Sequence, residues 1–195
     1  IKKTRINDAK VDPYGGIVFG TYNEDPDKLN RKPIANLYRL APDLSLTHLL
    51  SNITVSNGLA FSQKDNIMYF ADTPTGRIQK FSYNQDFKKL NELETNMIFK
   101  DVGEPDGATL DNNDNYWSAR VRGKCIICID TKNGKIIEKI DLPTKTPTCV
   151  AFGNSDLSCL YVTSLRADPI NDSADGNLYK IETGTQGSKQ LLADF

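Results

Sequence analysis

One phrase recurs along this 195-residue chain, and no other feature restricts the fold as much. Its copies are Asn7-Asp8-Ala9-Lys10-Val11-Asp12, Asn57-Gly58-Leu59-Ala60-Phe61-Ser62 and Asp106-Gly107-Ala108-Thr109-Leu110-Asp111, with a weaker fourth, Thr148-Cys149-Val150-Ala151-Phe152-Gly153. The copies open at positions 7, 57, 106 and 148, in steps of 50, 49 and 42 residues. A period of that size with strand-like content predicts a β-propeller or a similar array. The opening slot carries Asn7, Asn57 and Asp106, short side chains with ligating oxygens, and a neutral Thr148 in the fourth copy. Repeats set equivalent residues around one axis, so Asn7, Asn57 and Asp106 are expected to converge on one site.

Each copy continues in the same way. Turn-rich links follow at Pro13–Gly16, Gln63–Asn66, Asn112–Asn115 and Asn154–Asp156, built from residues that tolerate positive φ and bond to their own backbone. Asp12 and Asp111 are placed to cap these turns. Second strands are expected at Ile17–Thr21, Ile67–Ala71, Tyr116–Ala119 and Leu160–Thr163. Third strands are expected at Asn36–Leu40, Arg77–Phe81, Cys125–Ile129 and Asn177–Ile181, and fourth strands at Leu46–Leu49, Asn96–Phe99, Lys135–Glu138 and Lys189–Leu192. Four short strands per unit, with no sustained helical period, describe propeller blades. The fold class is therefore all-β, a β-propeller with about four blades, the usual range being about 4–8. The slot begins the first strand of each blade, the strand that lines a propeller's channel. The chain opens Ile1-Lys2-Lys3-Thr4-Arg5 and enters the first repeat at once, without an initiator Met or hydrophobic signal region. Residues 1–195 are accordingly expected to be a partial propeller whose N-terminal blades are missing.

Bulk properties exclude several classes of function. Hydrophobic residues make up 38% and charged residues 25%, and the formal net charge is -1, so no basic field recruits nucleic acid or an anionic membrane. No apolar run nears the roughly 18 residues that span a bilayer. Cys125 and Cys128 form a C-x-x-C within an alternating strand, which sends them to opposite faces, and Cys149 and Cys159 supply no second close pair. Reduced, mostly buried thiols are the expectation, and with them a cytoplasmic location. Sequons at Asn52 and Asn171 would matter only in a secreted protein. The single histidine, His48, falls on an outer strand, so Ser-His-Asp and Cys-His chemistry lack a partner. Trp117 and Tyr161 stand at equivalent second-strand positions and read as packing between blades rather than as a sugar platform.

The stretches Arg5-Ile6-Asn7-Asp8-Ala9-Lys10-Val11-Asp12-Pro13, Val55-Ser56-Asn57-Gly58-Leu59 and Pro105-Asp106-Gly107 resemble the SMP-30/gluconolactonase/LRE-like family, nearest to its regucalcin and luciferin-regenerating branches. The resemblance runs over essentially the whole chain. It implies a six-bladed propeller, of which four blades are the C-terminal two-thirds, with a divalent metal in the central channel and hydrolysis of a sugar lactone. It further implies Asn57 and Asp106 as metal ligands, Asp106 also as general base, and Arg5, Asn7 and Asp25 as substrate contacts, with Glu24 adjacent to Asp25. The family's third metal ligand, a Glu in a G-E-S-P motif, has no counterpart in this chain. An Asn amide and carboxylates suit a hard cation, Ca²⁺ first, with Mg²⁺, Mn²⁺ or Zn²⁺ as alternatives. The expected partner is a small sugar lactone. A calcium-binding regulatory protein without turnover, or a luciferin-regenerating type of hydrolase, would use the same residues.

Overall fold

The computed structural model describes residues 3–27, 30–166 and 174–195; Lys2 and the sequon at Asn171 lie outside them. Strands dominate, and they group into four antiparallel sheets in which sequence neighbours pair in order. This is the all-β, β-propeller class expected from the repeats. The chain divides into two compact units, Ile1–Glu94 with Gln190–Phe195, and Thr95–Lys189.

The first unit holds two sheets. One is built from β1 (Thr4–Val11), β2 (Ile17–Asn23), β3 (Ala35–Leu40) and β4 (Leu46–Ile53), the other from β5 (Ser56–Ser62), β6 (Ile67–Asp72), β7 (Ile78–Tyr83) and β8 (Leu90–Leu93). Their facing apolar side chains form one core of Val18, Leu37, Leu59, Met68, Phe70 and Phe81 with their neighbours. Phe87, in the β7–β8 turn, is fully buried and stacks on Tyr83 at 4.7 Å between ring centroids. Arg39 reaches into this core, lies 4.7 Å over the Phe87 ring and bonds Asp12 at 2.6 Å. Asp12 also accepts the backbone N–H groups of Tyr14 and Gly16, the turn-capping role expected of it.

The second unit contains β9 (Glu104–Leu110), β10 (Tyr116–Val121), β11 (Cys125–Asp130) and β12 (Lys135–Asp141), then a three-stranded sheet of β13 (Pro147–Gly153), β14 (Cys159–Ser164) and β15 (Leu178–Glu182). Its core gathers Trp117, Ile126, Cys128, Val150, Phe152 and Leu160. Trp117 meets Phe152 edge-on at 5.9 Å, which joins the two sheets as expected of a packing residue, and its indole N–H donates to Asp111. Asp111 accepts the N–H groups of Asn113 and Asn115 and so caps its turn. Tyr161 differs from its repeat equivalent. It is half-buried, its hydroxyl donates to Asn154, and its ring lies over Gly153 of its own sheet.

Two expected strands are not formed. The fourth strand of the second sheet is Leu90–Leu93, which pairs with Lys80–Tyr83, and not Asn96–Phe99. There, Met97 is buried and the Phe99 carbonyl is taken by the Arg120 guanidinium, so a side chain occupies the acceptor a strand would use. The strand expected at Lys189–Leu192 is likewise not formed. The residues just before it are held elsewhere in the second unit, Gly187 N–H by Leu157 and Ser188 N–H by Leu110.

All four cysteines are free, and only Cys149 is exposed. Burial pushes the Cys128 and Cys125 thiols up, away from thiolate. No helix of the described residues is long and apolar enough to cross a membrane. Two outcomes follow from these placements. A thiol reagent should modify Cys149 rapidly in the folded protein and the other three cysteines only after denaturation, read as the fast fraction of thiol released. Asp12→Ala leaves a buried guanidinium unpaired and should cost about 3–5 kcal/mol in denaturant unfolding.

Candidate functional site

The repeated slot lies at an irregularity of the strand in every sheet. Between two register pairs near the slot, each first strand carries one residue more than its partner: Ile6 to Ala9, Asn57 to Ala60, Pro105 to Ala108 and Pro147 to Cys149. A bulge of this kind bends the strand and re-aims its side chains. The short polar residue of the phrase is therefore presented by distorted backbone, not by a regular pleat.

In the first unit the slots of adjacent repeats meet. The Asn7 amide nitrogen donates to Asn57 Oδ1 at 3.1 Å and to the Ser56 carbonyl at 2.8 Å. Asn57 is buried, and its own amide nitrogen donates to Thr73 Oγ1 at 2.8 Å. Thr73 thus fixes which way the Asn57 amide faces, and its Oδ1 keeps acceptor capacity beyond the Asn7 bond. Next to Asn7, Asp8 stands where two other copies have glycine, and its carboxylate accepts the Leu59 N–H at 2.9 Å. Burial raises the Asp8 pKa, partly opposed by that hydrogen bond and by Lys10. Asp8 and Thr73 were not singled out by sequence; the signal for Asp8 was a carboxylate where the repeat otherwise has Gly58 and Gly107.

Arg5 lies over the Tyr22 ring at 4.4 Å and pairs with Glu24 at 3.3 Å. Both members of this pair are largely exposed, so its net stabilisation is small. The carboxylate beside Arg5 is thus that of Glu24. Asp25 points its own carboxylate at the Asp27 N–H, while its carbonyl accepts from Arg31 Nε. Lys3, Glu24, Asp25 and Pro26 line a recess of about 260 Å³ at this edge.

In the second unit Asp106 is half-buried at the β9 bulge. Gly107 follows because nothing larger fits: a Cβ there would stand 2.6 Å from Cys149 Sγ and 2.9 Å from Cys149 Cα. The fourth slot, Thr148, is half-buried and shares a hydrogen bond with Thr163 at 2.9 Å. Arg122 and Glu104 pair at 3.2 Å at the same end of the sheet.

The donors suit a hard cation more than a soft one. Asn57 offers a buried, oriented amide oxygen and Asp106 a carboxylate, which are ligand types of Ca²⁺ or Mg²⁺. Among the described residues no group of three or more His, Cys, Asp and Glu side chains is poised to hold a metal. Waters and further oxygens would have to complete the shell of a cation held at either residue. Gly107→Ala should cost about 1–3 kcal/mol through overpacking against Cys149, and Cys149→Gly in the same chain should recover part of that loss in a double-mutant cycle.

Residues 1–166 match the family described as SMP-30/Gluconolactonase/LRE-like region. A 6-deoxy-6-sulfogluconolactonase of Pseudomonas putida is 34% identical over 164 residues, covering 84% of this chain and 55% of the relative. The solved structure of a luciferin-regenerating enzyme superposes with a TM-score of 0.89 at 31% identity, over 100% of this chain and 67% of its own. A calcium-binding protein, regucalcin, from Agrobacterium tumefaciens strain C58 superposes with a TM-score of 0.85 at 25% identity, over 98% and 65%. The chain spans 55% to 67% of the length of these three relatives.

Proposed function

We propose, for a chain that belongs to the SMP-30/gluconolactonase/LRE-like family, that the protein containing it hydrolyses a sugar lactone with the help of a bound divalent cation. The observation that carries this reading is the repeated slot: Asn7, Asn57 and Asp106 stand at or beside the bulge of successive first strands, where the family resemblance expects substrate and metal contacts. The sulfogluconolactonase among its relatives supports a lactone as the substrate class, and the calcium-binding relative favours Ca²⁺.

Lactone hydrolysis adds water across the ring ester. The water oxygen bonds to the carbonyl carbon, the bond from that carbon to the ring oxygen breaks, and the ring oxygen leaves as a hydroxyl, taking up the proton the water gave to the base. Asp106 is the residue to take the proton from the attacking water, since a carboxylate accepts a proton as the nucleophile forms. Arg5 offers forked N–H donors to a carbonyl or sugar hydroxyl, and Tyr22 beneath it limits how the guanidinium can turn. The Asn7 amide, tied to Ser56 and Asn57, is a second oriented polar group for the substrate. A cation held by Asn57 and Asp106 would polarise the lactone carbonyl and stabilise charge developing on its oxygen. In this reading Thr148 stays a bystander, because its hydroxyl is engaged with Thr163.

The test is gluconolactone hydrolysis by the protein in the full length its gene encodes, with and without Ca²⁺, Mn²⁺ and Zn²⁺. Activity should require the metal. Asp106→Ala should lose at least about 100-fold in kcat, from base and ligand together. Asn57→Ala should mainly raise the metal concentration needed. Absence of turnover from the folded protein with every metal would reject the lactonase reading. If Ca²⁺ still raised the melting temperature, as binding to the native state requires, a calcium-binding protein without turnover would take its place.

A further inference from the structure

The position opposite the residue just before the slot separates the second and third repeats from the others. In the second, Ser56 stands opposite Asp72; in the third, Pro105 stands opposite Arg120. Asp72 and Arg120 are therefore repeat equivalents, each near the end of a second strand and each buried. In the first and fourth repeats the corresponding residues are Thr21, opposite Ile6, and Ser164, opposite Pro147. Their hydroxyls donate to the carbonyls of Asn36 and Asn177, at the start of the third strand. Only the second and third repeats, whose slots are Asn57 and Asp106, have a charged group there.

Both charged groups reach back to the chain that leads into the slot. The Asp72 carboxylate accepts the N–H groups of Thr54 at 3.0 Å and Val55 at 2.8 Å, three and two residues ahead of Asn57. Arg120 Nη2 donates to the carbonyls of Gly103 at 2.6 Å, three residues ahead of Asp106, and Phe99 at 2.7 Å. Each charge matches its task, since a carboxylate can only accept from N–H and a guanidinium can only donate to C=O.

Arg120 is an expensive way to hold a loop. It is fully buried, and its Nε and Nη1 have no partner among the described residues. Desolvation lowers its pKa to about 10, which leaves it a cation at neutral pH. A buried cation with unmade hydrogen bonds is commonly less stabilising than an apolar side chain of similar size. What Arg120 does provide is a fixed path ahead of Asp106. The same link is pressed against the β10–β11 turn, where Gly103 sits at φ +83 and a Cβ on it would come 2.4 Å from the Gly123 nitrogen.

We propose that Asp72 and Arg120 are positioning residues of equivalent rank, each fixing the backbone that delivers one functional slot, Asn57 for Asp72 and Asp106 for Arg120. The functional half of this inference rests on the lactonase reading; the structural half does not. Native-state hydrogen exchange and Ca²⁺ titration of the full-length protein test the two halves separately, with Arg120→Met as the main variant and Asp72→Asn as its counterpart.

In Arg120→Met the amides of Glu104, Asp106 and Gly107 should exchange about tenfold faster or more, while the rest of the second unit keeps its protection. The denaturation midpoint should hold or rise, because an apolar side chain replaces an unsatisfied cation. Ca²⁺ affinity and kcat/KM should both fall roughly 10- to 100-fold, with Arg120→Lys recovering part of each. Asp72→Asn should loosen Thr54 to Gly58 and leave Glu104 to Gly107 unchanged. Unaltered exchange at Glu104, Asp106 and Gly107 in Arg120→Met would overturn the inference. Faster exchange with parental Ca²⁺ affinity and turnover would overturn it too, leaving Arg120 a brace with no bearing on the slot. If the parent protein neither binds Ca²⁺ nor hydrolyses a lactone, the lactonase reading falls, and the exchange result alone decides whether these residues hold their slots.

Discussion

Each first strand carries one residue too many for its partner, and the way the repeated slot is presented depends on that mismatch. A regular strand would send successive side chains to alternate faces and give the slot no special direction. The added residue breaks the ladder beside Asn7, Asn57, Asp106 and Thr148 and turns the backbone there. The bulges are accommodated by a small residue in one unit and a side-chain hydrogen bond in the other. Gly107 leaves the β9 bulge room against Cys149, and in the first unit Asp8 holds the Leu59 N–H at the β5 bulge.

The apolar cores hold the ladders on either side of these irregularities in place. Phe87 and Tyr83 stack within the core of the first unit, and Trp117 and Phe152 meet edge-on in the second. Polar groups within these cores are paired where they serve the turns. Asp12 gathers Arg39 and two N–H groups, and Asp111 gathers Trp117 and the Asn113–Asn115 turn. Arg120 departs from this economy. Three of its N–H bonds, one on Nε and two on Nη1, are left unmade in a buried place, which is more readily explained by what it positions than by what it stabilises.

Much of this was legible in the sequence, because the decisive signals are local. The phrase marked all four first strands, and the Asn-Asp-Gly links marked the turns after them. Clusters of β-branched and aromatic residues marked all four second strands. The failures have a common cause in long-range pairing. Leu90–Leu93, outside every expected strand, completes the second sheet by pairing with Lys80–Tyr83, and Phe87 buries the turn before it. Asn96–Phe99 reads as a strand, yet an arginine 21 residues away claims its carbonyl. Glu24 and Asp25 could not be told apart by counting, whereas the Arg5 ion pair selects Glu24 as its neighbour. Arg120 itself sits in Tyr116-Trp117-Ser118-Ala119-Arg120-Val121, where nothing local says that a charged residue is buried.

The most direct measurement of the central claim is a paramagnetic titration of the full-length protein with Mn²⁺, followed by the backbone amide signals. If the repeated slots hold a metal, the first amides to broaden will be those around Asn57 and Asp106, with the Cys149 backbone that packs on Gly107, while those of the Asp12 and Asp111 turns persist at low metal. Broadening that begins at surface carboxylates such as Asp43, Asp86 and Asp156, with the Asn57 and Asp106 signals unaffected, would contradict the account and leave the bulged slots as features of the fold alone.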